Sequence, residues 1–436
     1  MSTPTNVPSM TGAQQPQWKF LLHTFYATGH VLPMQAVAQA LVRRGHEVVW
    51  LASPDQQARV EASGARFVAT EEVVKADAVL KTTEPTTLEG CAEVLLGGRL
   101  TAQVADLRRV LKSYKPDCLL NDALPQGAAA LYDLGEVPFF ATLGVVPMYL
   151  PGAGEHAPTS ALGTLLSQHA WTLPVINPQR EALGLKLLTE SDVVQYSAQL
   201  HIQASCPSLE YHQPMPQTHY VGPLVSQPTQ APDLPVWWDD VLAAAADGKH
   251  IIGITQGTFA MDPTSLLIPA IEALRDDPTL LLVVPSPHEA AIRAQLSSAK
   301  TETDNVRIAS WVPYDQLLPL CSALVTNGGY GSVTQALAAG VPLVCAGTSE
   351  DKKDTAARVR HVGAGIDLGT EKPSAESMRE AVRAVLEDPM YRKGAVQIRD
   401  ELRAQGGAAE AARVLEEGVA RTRLQKREEG GAGRKE

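Results

Sequence analysis

The feature that most constrains this chain is a repeated alternation of short apolar runs with longer amphipathic runs. The apolar runs of the first half predict strands, and they read "WKFLLHTFYA", "HEVVWLAS", "ARFVAT", "KPDCLLND" and "VPFFATLG". The stretches between them, such as "LPMQAVAQALVRRG", place apolar residues at helical spacing. Because a parallel strand pair needs a crossover of helical length, this alternation predicts an α/β fold with parallel sheets.

The alternation restarts at "HIIGITQGTF", and a proline-rich segment separates the two copies. A chain of 436 residues is too long for one hydrophobic core. The segment "VGPLVSQPTQAPDLPVWW" has no apolar periodicity and predicts a linker at residues 223–240. We therefore predict one domain over residues 18–222 and a second over 241–405. The polar ends, residues 1–17 and 426–436, are predicted to be disordered.

Charge and cysteine content exclude several classes of protein. The formal net charge is -11 and no long basic run occurs, which argues against nucleic-acid binding. The five cysteines are widely spaced and form no CxxC pair, so neither a disulfide framework nor a structural zinc site is expected. No stretch has the length of a membrane span, and residues 1–17 lack the pattern of a signal peptide. We predict a cytoplasmic protein with no nucleic-acid partner and no integral membrane span.

Gly29 and His30 stand where the first predicted strand gives way to a helix. In an open parallel sheet, ligands bind at the loops that follow the carboxyl ends of strands. We therefore predict a tight loop there, with His30 as a candidate functional residue. The alternative is a histidine that only caps the helix.

A second candidate site is the stretch "VTNGGYGSVTQALAAG", in which a strand runs through glycines into a helix. Glycines let the backbone approach a ligand, and the free N–H groups of a helix start favour a phosphate or diphosphate. The motif matches neither the Walker P-loop nor GxGxxG. Thr258, after "ITQG", could donate its hydroxyl to the same phosphate. For both segments, an ordinary turn or helix cap is the alternative.

Three motifs together resemble a known family, the GT-B fold glycosyltransferases of family 1. The motifs are "GHVLPMQAVAQALVRRGHEV", "WVPYDQLLPLCSALVTNGGYGSVTQALAAGVPLV" and "EDKKDTAARV". Within the family, the chain is similar to the microbial macrolide-type branch from about Trp18 to Val419. The resemblance implies two Rossmann-like domains that face each other across a cleft. It also implies that the helix over residues 406–425 returns to the N-terminal domain.

The resemblance implies that His30 is the general base that takes the proton of the acceptor hydroxyl. An imidazole at a helix N-terminus is kept neutral by the helix dipole, which suits this role. Asp122, the last residue of "KPDCLLND", corresponds to the carboxylate that orients the histidine. Asp117 precedes the same strand and would lie at its other end. A helix N-cap is the alternative for Asp122.

The resemblance also implies a set of residues that bind a nucleotide-sugar donor. These are Thr258, Trp311, Val312, Asn327, Gly329, Gly331, Ser332, Gln335, Asp351 and Lys352. Trp311 would stack on uracil or thymine, with core packing as the alternative. Asn327 replaces the diphosphate-binding histidine of other members, and it can donate to phosphate but cannot become cationic. Gln335 matches a ribose-binding residue.

Asp351 and Lys352 match the pair that holds the sugar hydroxyls. A lysine offers donors only, so the sugar stays open, and a solvated charged turn is the alternative for "EDKKD". The irregular segment between about residues 147 and 189 predicts the wall of an acceptor pocket. Met148, Tyr149 and Trp171 are its candidate residues, although core packing is the more common role for each of them.

The resulting hypothesis is an inverting glycosyltransferase with a UDP- or dTDP-sugar donor and a hydrophobic acceptor. The acceptor would be a natural product such as a polyketide, macrolide or flavonoid, or another phenol. No Asp-x-Asp sequence or metal-spaced cluster occurs, so no metal or other cofactor is expected. A monomer or weak homodimer is expected. The alternatives are a nucleotide-sugar epimerase on the same fold and a catalytically silent nucleotide-sugar-binding homologue.

Overall fold

Two parallel β-sheets, each covered by helices, form the core of the protein in the computed structural model. The structure describes residues 16–80, 88–150, 158–167, 170–190, 192, 196–210, 215–227, 233–257, 262–298 and 305–432. Every strand pairing among these residues is parallel. The predicted α/β fold class is therefore confirmed.

The first sheet has seven strands in the order β3-β2-β1-β4-β5-β6-β7. Its strands are β1 Lys19–His23, β2 Glu47–Ala52, β3 Arg66–Ala69, β4 Cys118–Asp122, β5 Phe140–Gly144, β6 His201–Gln203 and β7 Thr218–Tyr220. The helices around it are α1 Thr28–Arg43, α2 Gln57–Ala62, α3 Glu72–Leu80, α4 Leu88–Ala92, α5 Leu100–Leu111, α6 Gly127–Asp133, α7 Ala161–Ser167 and α8 Leu173–Ala182. The interior strands are apolar on both faces, as expected for a parallel sheet between two helix layers.

The strand order of the first sheet reverses between β1 and β4. β1 pairs with β2 on one side and with β4 on the other, with His23 opposite Asn121. The connections after β1 and β4 therefore leave toward opposite sides and open a crevice at the carboxyl ends of the strands. His30 follows β1 and Asp122 ends β4, so both lie at this crevice.

The second sheet has six strands in the order β10-β9-β8-β11-β12-β13. Its strands are β8 His250–Thr255, β9 Leu280–Pro285, β10 Val306–Ala309, β11 Cys321–Thr326, β12 Leu343–Cys345 and β13 Gly365–Asp367. The helices are α9 Trp238–Ala246, α10 Leu267–Leu274, α11 Glu289–Ser298, α12 Tyr314–Leu317, α13 Tyr330–Ala338, α14 Lys352–His361, α15 Ala375–Glu387, α16 Pro389–Ala404 and α17 Gly407–Ala432. The order reverses between β8 and β11, where Thr255 lies opposite Thr326. The glycine-rich stretch thus starts at a second crevice of the same kind.

Two element boundaries differ from the sequence-based ones. α9 begins at Trp238, inside the predicted linker, because Trp238 and Val241 pack into the core of the second domain. α17 continues to Ala432, whereas the sequence predicts its end at 425 and disorder over 426–436. Of the predicted leader, only Pro16 and Gln17 belong to the described residues, and residues 433–436 lie outside them.

The last helix packs against the first domain. Ala411, Val414 and Leu415 of α17 are buried in the same apolar cluster as residues of β1 and α1. Glu416 accepts hydrogen bonds from Arg44 and lies 2.8 Å from Nε2 of His46. Because α17 follows the second domain in sequence, it ties the two domains together.

In the described part of the chain, no helix combines the length and hydropathy needed to cross a bilayer. The same residues contain no group of three or more histidine, cysteine or carboxylate side chains placed to hold a metal ion. All five cysteines are described and unpaired.

Candidate active site

His30 lies in the first turn of α1, not in the tight loop that the sequence predicts. The helix starts at Thr28, and the backbone N–H of His30 donates to the Ala27 carbonyl at 2.9 Å. Ala27, the N-cap residue, provides no side-chain hydrogen bond to the helix. The first N–H groups of α1 therefore receive no side-chain acceptor from the N-cap residue.

Asp122 is fully buried next to His30. Its Oδ2 accepts a hydrogen bond from the N–H of Phe25 at 2.6 Å, and its Oδ1 accepts one from the N–H of Leu124 at 2.9 Å. Oδ1 lies 3.3 Å from Nδ1 of His30, within ion-pair distance but without the alignment of a hydrogen bond. Such contacts are often loose in unliganded enzymes. The N-cap of α6 is Gln126, so the alternative that Asp122 caps this helix is wrong.

An apolar cluster adjoins the His30–Asp122 pair. The ring of Phe25 meets the His30 imidazole edge-on, with 5.3 Å between ring centroids. The buried members of this cluster include Phe25, Leu124, Val146, Tyr149, Leu162, Leu165 and Leu166, and Trp171 packs against it. Two of the candidate acceptor residues, Tyr149 and Trp171, thus share one cluster with the ring that contacts His30. Met148 is fully buried outside it, and only its backbone polar atoms make hydrogen bonds with other residues.

The helix start after β11 presents an open backbone. Gly328 has φ +87°, a conformation that a side chain would strain. The N-cap residue Gly329 offers no side-chain hydrogen bond, and Gly331 has open space where a Cβ would stand. The first N–H groups of α13 are therefore accessible to an anion.

The amide of Asn327 is partly used within the protein. Its Nδ2 donates to the carbonyl of Gln256, the residue after β8, and its Oδ1 is buried without a partner among the described residues. One of the two Nδ2 hydrogens remains for a ligand. Nε2 of Gln335 donates to the Gly331 carbonyl at 3.0 Å, one turn back in α13. Ser332 is on the same helix start, whereas Thr258 lies outside the described residues.

Trp311 and Val312 have opposite environments although they are adjacent. Trp311 is 65% exposed, so the alternative that it is a core residue is wrong. Val312 is buried in the core of the second domain, which leaves only its backbone for a ligand. An exposed indole at a strand end is suited to stacking on a planar base.

Asp351 and Lys352 stand at the start of α14. Lys352 is buried, and its Nζ donates to Ser349 at 2.8 Å and to Glu350. Burial raises the pKa of Asp351 to about 6, although its own backbone N–H and the Lys352 ammonium act in the opposite direction.

The alternative that "EDKKD" is a solvated turn is wrong, because Lys352 and Asp354 are both buried. Sequence reasoning missed the contacts that Asp354 and Arg358 make with the first domain. Their spacing of four residues on a helix was the one available signal, since it places both on the same face.

Comparison with known proteins gives consistent matches. Residues 287–417 match the family described as erythromycin biosynthesis protein CIII-like, C-terminal domain. The 4'-demethylrebeccamycin synthase of Lentzea aerocolonigenes is 31% identical over 430 residues, which cover 91% of this chain and 99% of that protein. UDP-glucosyltransferase B1 of Starmerella bombicola is 30% identical over 414 residues, 86% of this chain and 92% of that protein.

Solved structures share the fold. The glycotransferase of kitacinnamycin covers 93% of this chain and 100% of its own, with a TM-score of 0.72 and 20% identity. A spinosyn rhamnosyltransferase complexed with thymidine diphosphate covers 91% of this chain and 100% of its own, with a TM-score of 0.67 and 22% identity. These likenesses confirm the predicted arrangement of two Rossmann-like domains.

Proposed function

The chain belongs to the GT-B glycosyltransferases of the macrolide and natural-product type, and on this basis we propose that it transfers a sugar from a UDP- or dTDP-sugar to a hydroxyl of a hydrophobic small molecule. The observation that carries the proposal is the buried His30–Asp122 pair at the crevice of the first sheet. Relatives named UDP-glucosyltransferases support a UDP donor. The structural neighbour with thymidine diphosphate supports a dTDP donor.

His30 would act as the general base. With Nδ1 beside Asp122, Nε2 is the ring nitrogen available to the acceptor hydroxyl. As the hydroxyl oxygen attacks the anomeric carbon, its proton passes to Nε2 and an imidazolium forms. Asp122 stabilises this cation, which the α1 dipole alone would disfavour. Its two backbone hydrogen bonds hold the carboxylate in place for that task.

The leaving nucleoside diphosphate would depart toward the start of α13. Its developing negative charge would be met by the open N–H groups of the helix, the remaining Nδ2 hydrogen of Asn327 and the Ser332 hydroxyl. Asp351 and Lys352 would hold the sugar, and Trp311 would stack on the base. We propose a metal-independent, single displacement that inverts the anomeric configuration, so an α-linked donor gives a β-glycoside.

The acceptor would bind at the apolar cluster beside His30. Phe25, Leu124 and the leucines of α7 form a buried apolar cluster next to His30, the kind of side chains that line a site for a hydrophobic molecule. Arg99, the cation over the Phe25 ring, is already paired with Asp77, which favours a neutral acceptor. The class of the acceptor, the oligomeric state and the cytoplasmic location stay predictions.

Turnover of the purified protein tests this function. UDP-glucose or dTDP-glucose would be incubated with 7-hydroxycoumarin and with a panel of polyketide and flavonoid alcohols, and glycosides would be detected by mass spectrometry. We expect multiple turnovers and a β-glycoside by NMR, both lost in folded His30→Ala. Isomerised nucleotide sugar formed without acceptor would establish an epimerase instead. UDP or dTDP binding without turnover across the panel would leave a silent nucleotide-binding homologue.

A further inference from the structure

Helix α14 connects the proposed donor site with the first domain. Asp351 and Lys352, the proposed sugar-binding residues, stand at its N-terminal end. One and two turns further on, Asp354 and Arg358 are buried against the first domain. The helix therefore joins the donor site to the part of the first domain that it touches.

Asp354 holds the start of α7 across the domain boundary. Its Oδ1 accepts hydrogen bonds from the N–H and the hydroxyl of Thr159, at 2.8 and 3.2 Å. Its carboxylate also accepts from the N–H of Ser160, at 3.3 Å, and from the Ser160 hydroxyl. Ser160 in turn accepts from the N–H of Gly163 at 2.9 Å, so its hydroxyl caps α7. The Asp354 carboxylate of the second domain is thus hydrogen-bonded at the N-terminal, positive end of α7 in the first domain.

Gly163 shows how closely the two domains approach. A Cβ at this position would collide with Oδ2 of Asp354, and it would stand 2.6 Å from Cε1 of Tyr149. Only glycine fits at this close approach. The carboxylate therefore reaches the backbone of α7 itself, not merely its surface.

Arg358 contacts a second part of the first domain. Its Nε donates to Oε2 of Glu210 at 3.1 Å, and its Nη2 donates to the Met148 carbonyl at 3.0 Å. Its guanidinium lies 5.8 Å from the centroid of the Tyr149 ring. Glu210 also accepts from the hydroxyl of Tyr330, the first residue of α13, at 2.6 Å. The buried charges are therefore paired within a network that spans both domains.

Helix α7 and Tyr149, which Asp354 and Arg358 contact, form one wall of the apolar cluster beside His30. α7 contributes Leu162, Leu165 and Leu166 to that cluster, and Tyr149 belongs to it as well. α7 has only seven residues, too few to be stable alone, so its position depends on what holds its ends. At its N-terminal end, the charged partner comes from the donor-binding domain.

We propose that Asp354 and Arg358 are positioning residues through which the donor domain shapes the acceptor wall, and that Asp354 sets acceptor affinity by fixing α7. The proposal rests on the proposed function, because it takes the apolar cluster as the acceptor site. It follows that a residue of the donor domain controls the KM for the acceptor more than the KM for the nucleotide sugar.

The test compares Asp354→Asn, Ser160→Ala, their double variant and Arg360→Gln. Asparagine keeps the size of the side chain but removes its charge. It also places an NH2 group where the carboxylate accepted hydrogen bonds from Thr159 and Ser160. Arg360 is the matched control, since it is exposed on the same helix, and its ion pair is with Asp367 of the same domain, at 3.7 Å. Steady-state kinetics would use UDP-glucose or dTDP-glucose, whichever the protein turns over, with the best acceptor found in the panel.

We expect Asp354→Asn to raise the acceptor KM about tenfold or more, because it breaks charge-assisted hydrogen bonds in a buried site. The donor KM and the thermal stabilisation by the corresponding nucleoside diphosphate should change less than about twofold. The double variant should be little worse than Asp354→Asn, since both single changes remove the same contact. Arg358→Lys should retain more acceptor affinity than Arg358→Ala, because lysine keeps the charge that Glu210 faces.

Hydrogen exchange of the α7 amides supplies a readout that needs no turnover. Asp354→Asn should exchange faster than wild type at residues 161–167, while Arg360→Gln should not. Equal increases in both KM values, or unchanged exchange in α7, would overturn the positioning role. Failure of the wild type to turn over any donor would overturn the proposed function, and the exchange experiment would still decide whether Asp354 orders α7.

Discussion

Replacing Asp122 with asparagine tests the catalytic pair most directly. The carboxylate is fully buried and accepts hydrogen bonds from the N–H groups of Phe25 and Leu124. Asparagine has the same shape, but one end of its amide must turn an NH2 group toward one of those N–H groups. We therefore expect a folded protein that loses about 1 to 3 kcal/mol of stability, the usual penalty for an unsatisfied buried group.

The effect on catalysis should be much larger. Nδ1 of His30 lies 3.3 Å from Oδ1 of Asp122. At an effective dielectric constant of about 20, two unit charges at that distance attract by about 5 kcal/mol. Each 1.4 kcal/mol corresponds to about a tenfold change in rate, and the imidazolium carries only part of its charge in the transition state. We expect kcat to fall by about tenfold to a thousandfold.

Asp117→Asn is the matched control, because Asp117 precedes the same strand at its opposite end. Its carboxylate also accepts from a backbone N–H, that of Lys19 at 2.9 Å, and it pairs with Arg423. Its removal should reduce stability without changing kcat. Glycoside formation and thermal melting would be measured for both variants. A folded Asp122→Asn enzyme with kcat within about twofold of wild type would refute the assignment of Asp122 to the transition state.

Three further predictions concern the donor site and the last helix. Trp311→Ala should raise the donor KM about tenfold, the usual worth of base stacking, without changing the melting temperature, because the indole is exposed; a change in the acceptor KM alone would contradict this. Burial raises the pKa of Asp351 to about 6, so the fold favours its protonated form. Asp351→Asn should therefore raise the melting temperature above about pH 6 and leave it unchanged below about pH 4. The same difference in melting temperature between variant and wild type at every pH in this range would disprove it. Leu415→Ala should reduce the free energy of unfolding in urea by about 2 to 5 kcal/mol, since Leu415 is fully buried between α17 and the first domain, and a much smaller loss would mean that α17 docks weakly.

The elements that position the site could be predicted because they depend on local patterns. Apolar runs of strand length and helical spacing predict β1, α1 and β4, and the rule that parallel strands end at one edge separates Asp122 from Asp117. Strand order is different, since it depends on which sheet neighbours each crossover reaches. Here the adjacency of β1 and β4 follows from the structure, and hydrophobic periodicity carries no information about it.

The environment of individual side chains is the second property that hydrophobic periodicity does not predict. Trp311 and Val312 are neighbours in sequence, yet one is exposed and the other is buried. Nδ2 of Asn327 donates to the Gln256 carbonyl, which lies 71 residues earlier in the chain. The contacts that Asp354 and Arg358 make with the first domain join residues 194 and 148 positions apart. Such contacts arise from tertiary structure, so one sequence does not disclose them.

The two crevices have similar structures, but the charges that would form at them during the reaction have opposite signs. In each domain, a helix start follows a central strand at the reversal of strand order. At α13 the positive end of the dipole would favour the leaving diphosphate directly. At α1 the same dipole opposes the imidazolium that His30 would become, so this site needs the buried negative charge of Asp122. The displacement creates both charges at once, and it therefore requires the two helix starts at a fixed separation. The contacts of Asp354 and Arg358 join the same two domains, so the second domain acts on the acceptor side through residues outside the His30–Asp122 pair.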